Sequence, residues 1–412
     1  MLMTATLVVA IVLVASGWWQ TPWGSLPSDL SVAPATTDFS VAEIEAAHGF
    51  RTTLRWLSML SLLLGVIVLA LIAFTRGGSR WLETLLVRLP GGVLLRSATA
   101  VILILVILFL IRLPLSISSE RIFRREGLST NTWGSWGVDQ AKGLVLSVVI
   151  TTVAVVVIGA LARWQPRFWW LAAATGAAAM TVALSFLFPV VVEPLFNRFT
   201  PMEEGRLRTA LLQLAERDGV PVKEVLVADA SRRTTALNAY VSGIGATRRI
   251  VVYDTLLSNA PEAEVQMVVA HELGHAKERD VLTGTLVGAV GAALAVLALA
   301  LVAGSAVASP AGVAAILAWL AIFSFVQQPV SNLISRQIEA RADQHALTLT
   351  ADPQTFAQMQ RRLAVTNRAD VIAPRWAYLL FASHPSTRER IALSRWWAEG
   401  QGLPVPPPLA PR

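Results

Sequence analysis

The sequence predicts an α-helical polytopic membrane protein of about seven spans, carrying a small α+β domain assembled from its two longest polar stretches. Three observations lead there. Of 412 residues, 54% are hydrophobic and 15% charged, with a mean hydropathy of +0.58, which leaves too few polar residues for an ordinary soluble surface. The apolar residues gather in runs of the roughly 20 that a spanning helix needs. The basic excess, 34 Lys+Arg against 27 Asp+Glu for a net charge of +7, is scattered between those runs. It forms no stripe or groove motif, so it reads as membrane flanking and gives no sign of a nucleic-acid partner. With no cysteine, disulfides, thiolate ligands and a cysteine nucleophile are excluded, and a transition-metal site must use histidines and carboxylates.

The seven runs fall at about 2–19, 53–75, 97–117, 144–163, 168–190, 281–304 and 311–331. The first lacks the basic start of a signal peptide, and Trp18, Trp19 and Trp23 beside it fit an interfacial aromatic belt, so it reads as a retained helix. Arg76, Arg80, Arg88 and Arg96 lie between runs two and three, while Arg121, Arg124, Arg125 and Lys142 lie between three and four. With basic residues on both faces, the positive-inside rule does not decide the orientation. The expected organisation is 1–190 for the first five helices and their loops, 191–280 for the first part of the polar domain, 281–331 for helices six and seven, 332–400 for its second part and 401–412 for a proline-rich, disordered tail. Both polar parts fall on one side of the membrane.

Within 191–280, KEVLVADA reads as a strand, NAYVSG and RRIVVYDTLL as two strands around a turn at Gly243 and Gly245, and PEAEVQMVVAHELGHAKERD as a helix started by Asn259 and Pro261. On that helix His271 and His275 stand four apart, one turn from each other on one face, where both imidazoles can share a metal ion. Glu272 beside them is placed to act as general base on a water activated by the metal. Zinc suits such a site, because three protein ligands leave a position for water. For the third ligand the acidic and histidine candidates downstream are Glu278, Glu339, Asp343, His345 and His384. The helix SRQIEARADQHALTL favours Glu339, since Asp343 then lies one turn on, able to accept a hydrogen bond from a ligating imidazole. His345 is off that face and reads as structural.

These residues, with FPVVVEPLFNRFTPM (188–202), DASRRTTALNAYVSGIGATRRIVVYDTLL (229–257), SRQIEARADQHA (335–346), SHPSTRERI (383–391) and REGLSTNTWGSWGVDQAKG (125–143), resemble the membrane zinc metallopeptidases of gluzincin type. That group includes the type I CAAX prenyl endopeptidase and a related heat-shock membrane protease. Seven spans and the 125–143 loop favour the CAAX branch. The resemblance implies a zincin-like metallopeptidase domain, membrane helices enclosing a chamber, one zinc ion held by His271, His275 and Glu339, and Glu272 as catalytic base. It further implies His384 and Arg390 near the oxyanion, and Asn238 and Ala239 as the strand edge that pairs with substrate. Ser386 stands where a second proline is frequent in the family.

The expected function is an integral-membrane zinc endopeptidase cleaving near the C-terminus of prenylated or other membrane-associated peptides, with membrane lipid as its surroundings. By resemblance its metal domain faces the cytoplasm of a bacterial-type cell. One alternative is quality-control cleavage of membrane proteins, as in the heat-shock branch. Another is a non-enzymatic transporter or receptor with a structural metal site, against which stands the lack of ionisable residues in the 281–304 run and before Arg163 in the 144–163 run.

Overall fold

The computed structural model describes residues 25–243 and 245–410, so the predicted first span and its tryptophans lie outside the described residues. Among those described, six helices are long and apolar enough to cross a membrane. They are α1 (Val41–Phe74), α3 (Val93–Arg125), α4 (Trp133–Trp164), α5 (Trp169–Phe196), α9 (Asp280–Ala303) and α10 within Pro310–Thr350. Helix α1 begins at a capping box, in which Ser40 and Glu43 each bond the other's backbone N–H. Between α1 and α3 lies a short helix that the apolar runs do not reveal, α2 (Arg76–Val87), which buries only Leu82 and Leu86. The spans share one apolar core that includes Ile104 of α3, Ile158 of α4, Trp170 of α5, Leu299 of α9 and Ile316 of α10.

The polar domain holds a four-stranded sheet in the order β1-β2-β4-β3. β1 (Phe199–Pro201), absent from the strands expected above, pairs antiparallel with β2 (Glu224–Ala228). β2 runs parallel to β4 (Arg249–Tyr253), and β4 antiparallel to β3 (Ala239–Ser242), which is therefore an outer edge. α6 (Arg206–Arg217) packs Leu211 and Leu214 into the core beneath. DTLL does not continue β4. Asp254 turns its carboxylate onto the N–H groups of Ser231 and Thr255, satisfying free donors at a helix start, and α7 (Asp254–Asn259) begins there. Asn259 ends that helix, and Pro261 alone caps α8 (Glu262–Lys277).

The two polar stretches form one core. Val269 and Leu273 of α8 pack with Ala346 and Leu347 of α10 (Val313–Thr350), Phe356 of α11 (Pro353–Thr366) and, beyond the short α12 (Arg375–Phe381), Leu393 of α13 (Thr387–Gly400). The predicted seventh span and the ExxxD helix are one continuous 38-residue helix, α10. Phe39, just ahead of α1, and Ile44 in its first turn join this domain too, against Ala357 and Ile391. So does the α3–α4 connection, where Thr130 N–H bonds Arg233 O and Thr235 N–H bonds Leu128 O.

The C-terminal tail departs from expectation. The segment expected to be disordered is tied down as far as it is described: Arg395 donates to the carbonyls of Pro406 and Pro407, Leu409 N–H bonds Asp38, and Ala410 N–H bonds Thr37 O. Proline removes donors but leaves every carbonyl available, and here an arginine collects two of them.

Candidate metal and peptide site

Helix α8 delivers His271 and His275 to one face as its period requires, with their Nε2 atoms 3.2 Å apart. From α10, Glu339 brings one carboxylate oxygen to 3.2 Å from His271 Nε2 and the other to 3.5 Å from His275 Nε2. Three ligands about 2.0–2.1 Å from a tetrahedral ion stand about 3.3 Å from one another. The observed separations and the His-His-Glu donor set fit such an ion. Two bare imidazole nitrogens converging with a carboxylate, mostly out of water, are otherwise a costly arrangement. Among the described residues this is also the cluster whose geometry suits a metal.

The outer nitrogens each face a carboxylate. His271 Nδ1 lies 3.0 Å from Asp343, as the ExxxD spacing predicts. His275 Nδ1 lies 2.9 Å from Asp280, a partner the motif spacing does not indicate. The expected helix ran through Asp280, which would have carried that residue away. Instead α8 stops at Lys277, Arg279 takes a left-handed φ of 57°, and α9 restarts at Asp280. The turn folds the carboxylate back onto His275, where Arg341 also binds it. Such carboxylates set the tautomer and strengthen the imidazole as a ligand.

Arg390, on α13, grips Asp343 at the side of the site. Its Nε donates to Asp343 at 2.7 Å and its Nη2 to the same carboxylate, so it bears on the site through Asp343 and His271. Asp343 is fully buried. Burial would raise its carboxyl, but Arg390 and His271 outweigh that and hold it below its ordinary value. Glu272 is shifted the other way, pushed up by desolvation with His271 and His275 opposing. His384 points its Nε2 to 3.3 Å from Glu339, while Ser383 Oγ meets its Nδ1 at 2.9 Å. Glu278 is only the C-terminal cap of α8. His345 bonds Asp218 at 3.0 Å, consistent with a packing role.

His345 also explains the glycine of HELGH. A Cβ on Gly274 would come within 3.1 Å of the His345 ring and Cβ, and His345 is held by Asp218, which Lys277 also grips at 2.7 Å. Gly274→Ala is expected to cost about 1–3 kcal/mol by overpacking α8 against α10, read as a lowered Tm in detergent.

His271, Glu272, His384 and Arg390 line a cavity of about 1080 Å³ together with Asn238 of the sheet edge and Ser58 and Ser119 of the membrane helices. Ser58, Ser119 and Phe123 also border a second cavity of about 520 Å³ lying among α1, α3 and α4. The cavity in front of His271, His275 and Glu339 thus shares a wall with a second one among the membrane helices. At its other side, Asn238 is exposed and Ala239 buried, at the start of the edge strand β3.

The arrangement has known counterparts. The model for peptidase family M48 matches residues 201–397, and that for the CAAX prenyl protease N-terminal part, described as five membrane helices, matches 33–198. The metalloprotease YhfN of Bacillus subtilis is 31% identical over 318 residues, 72% of each chain. A CAAX prenyl protease 1 homolog of Oryza sativa is 30% identical over 306 residues, 68% of each chain. The crystal structure of S. mikatae Ste24p superposes with a TM-score of 0.75 at 23% identity, over 93% of this chain and 96% of that one, a likeness of fold.

Proposed function

The chain belongs to peptidase family M48 as a multi-pass membrane metalloendopeptidase, and from that premise we propose that it uses zinc to remove short C-terminal segments from prenylated or otherwise membrane-anchored peptides. One observation supports this most: the cavity at the ligands is bounded both by a free strand edge and by membrane helices. A peptide can pair with the edge while its apolar anchor stays among the helices.

In this reading His271, His275 and Glu339 hold the ion. Zinc there would lower the pKa of water to about 7 and polarise the scissile carbonyl. Glu272 takes the proton from the attacking water and returns it to the leaving amine. Asp343 and Asp280 keep each imidazole turned toward the ligand position. His384 offers a donor to the oxygen on which charge develops, and Arg390 steadies Asp343 as a positioning residue. Ala239 aligns the substrate through main-chain bonds. The metal domain faces the cytoplasm of a bacterial-type cell, and membrane lipid surrounds α1, α3, α4, α5, α9 and α10.

The test is cleavage of a farnesylated C-terminal CAAX peptide beside its unprenylated twin by detergent-purified protein. Cleavage that depends on the prenyl group is expected. Equal cleavage of both peptides would contradict prenyl selectivity and favour quality-control proteolysis of membrane proteins.

A further inference from the structure

The edge strand is closed at one end by a side chain. In the β3–β4 ladder, Tyr253 N–H bonds Asn238 O at 3.1 Å, and the register pairs Ala239 with Val252 and Val241 with Ile250. Backbone polar groups alternate in direction along an antiparallel strand, so those of Leu237, Ala239 and Val241 point away from β4, toward the free edge. Among the described residues, Ala239 and Val241 have no partner there. Leu237 has both groups taken by one amide: its N–H donates to Asn367 Oδ1 at 3.0 Å, and its C=O accepts from Asn367 Nδ2 at 3.2 Å. This two-way exchange is what a residue of a paired antiparallel strand would make.

We propose that the Asn367 amide occupies the next strand position a substrate would use, and so limits how many residues can pair beyond the scissile bond. A substrate antiparallel to β3 runs from the Ser242 end toward Leu237, so the blocked end receives its C-terminal side. Asn238, Leu237 and Asn367 line the same cavity as His271 and Glu272, which puts the stop beside the ligands. The stop is rigidly mounted. Asn367 is the C-cap of α11, followed by Arg368 at a left-handed φ of 51°. Arg51 of membrane helix α1 donates to the carbonyls of Asn367 and Arg368, both at 2.7 Å. Selection for a short C-terminal segment is thereby built into the contact between a membrane helix and the substrate edge.

This inference rests on the peptidase reading above, and the experiment separates the two. Zinc-loaded wild type, Asn367→Ala and Asn367→Asp are assayed on farnesylated and unprenylated peptides lengthened one residue at a time at the C-terminus. Metal content and Tm are followed for each protein. Wild type is expected to lose kcat/KM steeply with added length. Asn367→Ala should raise the long-to-short ratio about tenfold, the scale of one or two freed main-chain pairings. Asn367→Asp still accepts from Leu237 N–H but repels its carbonyl, so a smaller rise is expected, and it carries the test if the alanine variant does not fold. A ratio unchanged in the variants, or no length dependence in wild type, would overturn the inference. Prenyl dependence is read separately, between the two series, and its loss leaves the length ratio measurable in each. No cleavage of either series by wild type would overturn the peptidase reading, and the strand stop with it.

Discussion

Glu272→Gln is expected to lower kcat by about 10²–10⁴-fold, the range for loss of a general base, while bound metal stays stoichiometric. The reason is positional. Glu272 lies on α8 between the two histidines, yet the metal-suited cluster consists of His271, His275 and Glu339 without it. Glutamine keeps the shape and the hydrogen-bonding capacity but cannot accept the proton. Metal analysis beside single-turnover hydrolysis checks both halves. Full activity in the variant would remove Glu272 from the reaction, and loss of metal would make it a ligand.

Asp343→Ala is expected to damage both fold and site. Its carboxylate receives two N–H groups of Arg390 and faces His271 Nδ1, with no exposure to water. Truncation leaves the Arg390 guanidinium, whose side chain is 12% exposed, without its counter-charge, a loss of about 3–5 kcal/mol for a buried pair. It also frees the His271 ring, for which a weakening of metal affinity by about 10–100-fold is expected. Thermal unfolding in detergent and competitive metal titration measure the two effects. An affinity equal to wild type would show that Asp343 does not orient the ligand.

Some of this is legible in the sequence because it is local and periodic. His271 and His275, and likewise Glu339 and Asp343, are four apart on helices, so their faces follow from the helical repeat. The apolar runs are equally plain, and 53–75, 97–117, 144–163, 168–190, 281–304 and 311–331 all fall mainly within membrane-length helices. Asp280 is not legible, because its approach to His275 depends on the left-handed turn at Arg279. The α7 helix in place of a strand is hidden for a similar reason: DTLL has strand-like residues, and only the contact of Asp254 with Ser231, distant in sequence, starts the helix. Asn367 is 130 residues from Leu237, so no local pattern could pair them. Pro329 lies near the expected boundary between the last span and the ExxxD helix, but α10 runs through it.

That continuity ties the site to the bilayer. Glu339 and Asp343 sit on the extension of one spanning helix, and Asp280, which orients His275, is the first residue of another. Glu339 is thereby carried by a spanning helix, and His275 is held next to the start of another, beside the cavity that the membrane helices help to line.

Everything proposed for the chemistry depends on His271, His275 and Glu339 holding the ion that hydrolysis needs. The decisive measurement is metal stoichiometry by mass spectrometry on wild type, His275→Ala and Glu339→Ala, with peptide cleavage followed on the same samples. One zinc per wild-type chain is expected, with zinc and cleavage lost together in both variants. Zinc retained in either variant, or cleavage by a wild-type protein stripped of metal, would contradict this assignment.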